Sequence, residues 1–203
     1  MLIQGLKFGL LLQLAVGPVC LMVFNTASNI GLLAGLTMAL AVTLVDTLYI
    51  GLAGLGLTGI LRREKLKKIL KIFGCLVLVM FGLNNIAGAL SYQLIPDINL
   101  FAADSQQGVF LQGLILTMSN PMTIIFWGGI FSAQVLERNL DGVQLLYFAI
   151  GCILSTLVFI SFIAFLGSVV NQFLSREVVN MLNLSIGVLI VYFGVKLVVP
   201  RHV

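Results

Sequence analysis

The chain has 203 residues, 60% of them hydrophobic and 9% charged, with a mean hydropathy of +1.16, whereas a soluble domain carries about a quarter charged residues. That excludes an ordinary soluble domain, and the continuous, non-alternating apolar runs exclude a transmembrane β-barrel. The formal net charge of +4 arises mainly from one basic segment between apolar runs.

A bilayer core takes about 20 mostly apolar residues per helix. Six runs meet that demand, at roughly 8–27, 34–60, 69–90, 108–135, 143–170 and 178–199. The connections are too short for a soluble domain, so residues 1–203 read as one all-α membrane domain. Any function then lies within the bundle or at its two faces.

The first run, LIQGLKFGLLLQLAVGPV, has no basic region ahead of it and its hydrophobicity continues through CLMVF, so it reads as a span and not as a cleaved leader. Gly17 and Pro18 fall near its centre. Proline removes a backbone donor and clashes with the carbonyl four residues earlier, so the pair interrupts the helix. Gln13 and Asn25 are polar neighbours of that break.

The second run carries Asp46 near its middle. An Asp at a helix centre costs roughly 2.5 to 3.5 kcal/mol on insertion scales, and such residues face the bundle interior and mark ion or proton pathways. No basic residue lies at its depth, so Asp46 is protonated at rest, solvated by a cavity or neutralised by a cationic ligand. Thr43 and Thr47 are its neighbours on the helix surface. Gly31, Gly35, Ala39, Thr43, Thr47 and Gly51 recur every fourth residue, a small-residue pattern for close helix packing.

The segment RREKLKKILK, residues 62–71, holds six of the eleven Lys and Arg. The positive-inside rule places it in the cytoplasm. Alternation then puts both termini in the cytoplasm and the 91–107 loop, which carries Asp97 and Asp104 but no Lys or Arg, outside. The basic run is read as a topology signal that meets anionic lipid, and no nucleic-acid partner is expected.

In the fourth run Asn120-Pro121 repeats the earlier interruption, with Thr117, Ser119 and Thr123 beside it. Trp127 and Tyr92 read as packing or interfacial anchors. Aligning Gly17-Pro18 with Asn120-Pro121 gives an offset of 103 residues that also matches Gly5 with Gly108; with small shifts Arg63-Glu64 matches Arg176-Glu177, and Phe81-Gly82 matches Phe193-Gly194. A three-span unit repeated in tandem must have inverted copies, because three crossings leave the chain on the opposite side. Six transmembrane helices as two inverted three-helix repeats are expected, with repeat one at about 1–90, the outer loop at 91–107 and repeat two at 108–200. Corresponding helix breaks in the two halves of such a fold point to a transport site. The expected site is Asp46 with Gly17, Pro18, Asn120 and Pro121; Thr43, Thr47, Gln13, Asn25, Thr117, Ser119 and Thr123 are secondary candidates.

GPVCLMVFNTASNIGLLAGLTMALAVTLVD in the first half and TMSNPMTIIFWGGIF in the second together resemble the lysine exporter (LysE/RhtB-type) translocator family over essentially the whole chain. The resemblance implies an amino-acid exporter of the bacterial cytoplasmic membrane, driven by an ion gradient, with Gly17, Pro18, Asp46, Asn120 and Pro121 as the matching signature. Many members have a proline where this chain has Val16 and a lysine where it has Met122, so no midplane cation stands opposite Asp46. The coupling ion expected is the proton, and neither a cofactor nor a metal is expected.

Two other functions compete. A thiol oxidoreductase would use Cys20 behind its proline, but the repeat-related position is Thr123, and Cys75 and Cys152 have neither an adjacent proline nor CxxC spacing. A divalent-metal or cadmium exporter needs several ligands, whereas the spans offer one carboxylate and no histidine. No catalytic constellation and no nucleotide-binding glycine loop are legible.

Overall fold

A computed structural model describes residues 1–13, 17–55, 64–90, 105–120, 123–124, 126–138, 140, 142–173 and 176–198. Among the described residues there are helices and no strands. The first apolar run forms two helices, α1 (Leu2–Gln13) and α2 (Pro18–Asn29), inclined at 84° to each other. Pro18 opens α2, where its missing N–H would have had no intrahelical partner. Gly17 ahead of it is extended (φ −111, ψ 176), and its carbonyl accepts from the Cys20 and Leu21 amides at 3.1 and 3.4 Å.

Gly31, at φ +120, turns the chain from α2 into α3 (Leu32–Gly54). That backbone conformation, and not lack of space, requires glycine, since a Cβ there would meet nothing within 4 Å. α4 (Glu64–Ala89) follows. Next comes α5 (Gln106–Ser119), capped by the Ser105 hydroxyl, which accepts from the Gly108 amide at 3.0 Å. α5 stops at Asn120, which is extended (φ −81, ψ 107). Helical backbone resumes at Thr123, whose amide bonds the Asn120 carbonyl at 3.2 Å. It continues as a π-helical stretch, Phe126–Phe131, and α6 (Ser132–Glu137). α7 (Gly142–Phe173) and α8 (Arg176–Val198) complete the fold.

Among the described residues, four helical stretches are each long and apolar enough to cross a membrane, Leu32–Gly54, Ile72–Ala89, Gly142–Val170 and Glu177–Lys196, and α1 with α2 makes a fifth if the bent pair is one span. The run expected at 108–135 is divided at Asn120; the 14 residues of α5 cover about 21 Å, less than a bilayer core of about 30 Å. Leu33, Leu44, Val158 and Phe162 are exposed on the outside of the bundle, while Asp46, Gln112, Thr156 and Asn183 are buried within it. Hydrocarbon as the surrounding solvent accounts for that distribution.

α4 packs most extensively against α8, and α1 against α7; α7 also meets α2 and α3, and α3 meets α5. Glycine lets backbones approach at each of these seams. A Cβ on Gly5 would run into the Phe148 carbonyl, and one on Gly167 into the Phe24 carbonyl. Gly9 of α1 faces Cys152 and Ser155 on α7, while Gly113 of α5 faces Met38 and Ala41 on α3. Gly82 of α4 faces Gly187 and Val191 on α8, and Gly194 of α8 faces Cys75 and Val79 on α4. Van der Waals contact of this kind is the main attraction between helices in lipid.

Candidate functional site

Asp46 lies midway along α3 and is 3% exposed. Its Oδ2 accepts a hydrogen bond from the Thr156 hydroxyl of α7 at 2.9 Å. Thr156 Oγ1 in turn accepts from Gln13 Nε2 of α1 at 2.7 Å. The Gln13 amide and the Trp127 indole also lie within interaction range of the carboxylate. Four elements, α1, α3, α7 and the π-helical stretch, therefore converge on one acidic side chain. An isolated carboxylate in an apolar interior is costly unless hydrogen-bonded, and these neutral donors meet that need.

Gln13, the last described residue of α1, brings its amide to the cluster through Thr156. Gly17 and Pro18 begin the next helix, and Cys20, one turn into it, is within range of the Asp46 charge. The second break adjoins through Tyr49, one turn along α3 from Asp46, whose hydroxyl donates to the Met118 carbonyl at 3.0 Å. That carbonyl lies in the last turn of α5, where no intrahelical donor remains for it.

Of the residues at the second break, Ser119 is 2% exposed and its hydroxyl has no hydrogen-bond partner among the described residues. Asn120 and Thr123 are buried. Pro121 lies outside the described residues. Thr117 donates to the Gly113 carbonyl of its own helix at 2.8 Å. Thr43 and Thr47 likewise bond the Ala39 and Thr43 carbonyls, at 2.8 and 2.7 Å, and Thr47 is exposed. Adjacency to Asp46 on the helix surface does not bring these hydroxyls to it, because a threonine in a helix readily satisfies itself on the carbonyl four residues back.

Asn25 belongs to a separate polar group between α2 and α8. Its amide donates to Asn183 Oδ1 at 2.6 Å, Asn29 Nδ2 donates to the same oxygen at 3.1 Å, and Asn183 Nδ2 donates to Asn29 Oδ1 at 2.8 Å.

Two members of the Asp46 cluster escape sequence reading. Trp127, expected as a packing or interfacial anchor, is 3% exposed with its indole within interaction range of the acid; aromatics are common at membrane interfaces, and residue type alone favours that place. Thr156 lies in an unbroken span; the adjacent Ser155-Thr156 pair midway through that apolar run was the available signal. Among the described residues no group of three or more His, Cys, Asp or Glu converges. Cys20, Cys75 and Cys152 are free thiols.

Helices of spanning length, an apolar exterior and a buried polar cluster at two helix breaks define a multi-pass helical membrane protein. The chain belongs to the LysE type translocator family, whose model matches residues 10–201. It is 29% identical over 204 residues to "Uncharacterized membrane protein PA4757" of Pseudomonas aeruginosa, covering 96% of this chain and 92% of that one. It is 25% identical over 189 residues to "Putative amino acid efflux protein YcgF" of Bacillus subtilis, covering 92% of this chain and 89% of that one. No solved structure matches the chain.

Proposed function

We propose that the protein is a secondary active exporter of amino acids or similar small solutes across the bacterial cytoplasmic membrane, coupled to proton entry through Asp46. The observation that carries this reading is the buried Asp46 carboxylate, held by neutral donors from both parts of the chain and flanked by two helix interruptions. The family and the efflux relative support outward transport.

The six-span inverted repeat is part of the same proposal, and the glycine seams support it. One constant offset relates Met38 to Cys152 and Ala41 to Ser155, the residues that Gly113 and Gly9 respectively face. Another relates Gly82 to Gly194, Cys75 to Gly187 and Val79 to Val191, so each of these glycines faces the counterparts of the residues the other faces. Such exchange is what a two-fold axis between inverted halves produces.

At the first break, α2 presents the amide end of its dipole, which favours a carboxylate. The end of α5 presents carbonyls, and with Asp46 these favour an ammonium. An amino acid carries both charges. With no lysine at the midplane, binding of substrate ammonium and binding of a proton compete at Asp46, which couples the two. The substrate enters from the cytoplasm, the halves rock around it, and a proton replaces it at Asp46 for the return. A single carboxylate among amide, hydroxyl and indole donors suits this exchange better than it suits a divalent cation, which needs several oxygen ligands.

Inside-out and right-side-out membrane vesicles loaded with labelled standard amino acids and, separately, with cadmium and zinc ions test the proposal. Gradient-dependent movement of one or more amino acids only with the protein present is expected. Movement of the metal ions alone would overturn it.

A further inference from the structure

Among the described residues, the side chains acting on the Asp46 carboxylate share a property that the transport reading does not use: each carries a donor group. The Trp127 indole has a donor and no acceptor. The Thr156 oxygen already accepts from Gln13, which leaves its hydrogen directed at Asp46 Oδ2. The Gln13 amide, bonded to Thr156, lies within interaction range of the carboxylate as well. A hydroxyl directed at Oδ2 favours the carboxylate anion over the acid form.

The donors also differ in origin. Asp46 and Gln13 lie on α3 and α1, in the first half of the chain; Trp127 and Thr156 lie on the π-helical stretch and α7, in the second. We propose that Trp127 and Thr156 are the positioning residues of proton coupling: they bind the Asp46 anion across the two halves and release it when a proton or a substrate ammonium neutralises it. Hydrogen bonds to an ionised acceptor are roughly twice as strong as neutral ones, so neutralising Asp46 weakens the tie at the bundle centre and frees the halves to move apart. The proton comes from outside water, adds to a carboxylate oxygen to give the carboxylic acid, and leaves to cytoplasmic water after the halves have moved. This inference rests on the proton-coupled reading above.

Among the described residues, Cys20 of α2 and Tyr49 of α3 are the titratable groups within range of the Asp46 charge. On α7, Cys152 donates to the Gly5 carbonyl and Tyr147 is exposed; Lys7 of α1 and Glu137 of α6 are also exposed. Neither α5 nor the π-helical stretch carries a titratable side chain.

The test uses the full chain in proteoliposomes, a labelled pool of the standard amino acids, and both uphill efflux driven by a pH gradient and downhill exchange. Trp127→Phe removes the N–H and keeps a ring against Phe131, which Trp127 meets edge-on at 6.3 Å. Thr156→Val removes the hydroxyl, and Thr156→Ser restores it. We expect Trp127→Phe and Thr156→Val each to lower uphill efflux about tenfold, the scale of one lost hydrogen bond to a charged group. Both should move its pH profile to higher pH, because the anion has lost a donor, and Thr156→Ser should keep the wild-type profile. On an Asp46→Asn background neither substitution should lower downhill exchange further. An unchanged pH profile in both variants, or equal losses with and without the acid, would overturn the inference while leaving Asp46 as the coupling group. Normal uphill efflux by Asp46→Asn alone would overturn the coupling reading and this inference with it.

Discussion

A carboxylate buried among helices becomes informative through what surrounds it. Asp46 has hydroxyl, amide and indole donors about it, and such donors lower the cost of a carboxylate in an apolar bundle. Asn in its place keeps the shape and loses the proton. Asp46→Asn is expected to insert and fold, to abolish proton-driven efflux, and to leave only a reduced substrate exchange, because the ammonium loses its anionic partner, as measured by paired uphill and exchange assays. Asp46→Glu should keep partial activity with an altered pH dependence, because the longer side chain displaces the carboxylate from Thr156. Ser119 presents the opposite situation, a buried hydroxyl without a partner among the described residues. Burying such a group unsatisfied costs about 1 to 3 kcal/mol, so Ser119→Ala should unfold at the same or a higher temperature than the wild type. If the hydroxyl serves substrate at the break, the same variant should raise the KM for efflux by several-fold. An unchanged KM would leave Ser119 outside the site.

Among the elements, the breaks and the seams do different work. Pro18 begins α2 and its ring forbids one continuous helix from α1. Restoring the backbone donor should let the helix close over the gap that exposes Gln13 and the α2 amides. Pro18→Ala and Pro121→Ala are each expected to lower efflux substantially while leaving the protein inserted; efflux at wild-type rates in both would reduce the prolines to packing features. The α4–α8 seam depends instead on the absence of a side chain. A Cβ at Gly82 would lie 2.7 Å from Val191 Cγ2 and 2.8 Å from the Gly187 carbonyl oxygen, whereas one at Gly88, on the same helix, would meet nothing within 4 Å. Gly82→Ala should therefore destabilise the bundle by about 1 to 3 kcal/mol, the usual cost of overpacking. Gly88→Ala should be neutral or stabilising by up to about 1 kcal/mol, since alanine is the better helix former. Thermal unfolding in detergent compares the two.

For the whole molecule, the expected orientation follows from charge and not from packing. Placing the 62–71 segment in the cytoplasm puts ten of the eleven Lys and Arg on that side, with Arg176 outside. On a cysteine-free background, single cysteines at Ser91 and Ser105 should react with a membrane-impermeant reagent added from outside. Reaction from the cytoplasmic face alone would invert the topology. Composition and run length suffice to show a helical membrane protein, since lipid leaves a spanning chain no other way to satisfy its backbone than a helix or a closed barrel. The motifs of the LysE type translocator family were legible too, because the break prolines and the buried acid are local features of the sequence. Asp46 stood out because a charge in an apolar run has no ordinary explanation. Its partners did not, for threonine and tryptophan are common in membrane helices and nothing in their neighbouring residues reveals what they face. Only the tertiary structure decided that Thr156, 110 residues from Asp46, meets it while Thr43, one turn away, bonds its own helix. Local propensity follows from the chain itself, but which side chains meet across a seam depends on how closely the helices approach, and that is settled by the packing of glycines against distant backbones.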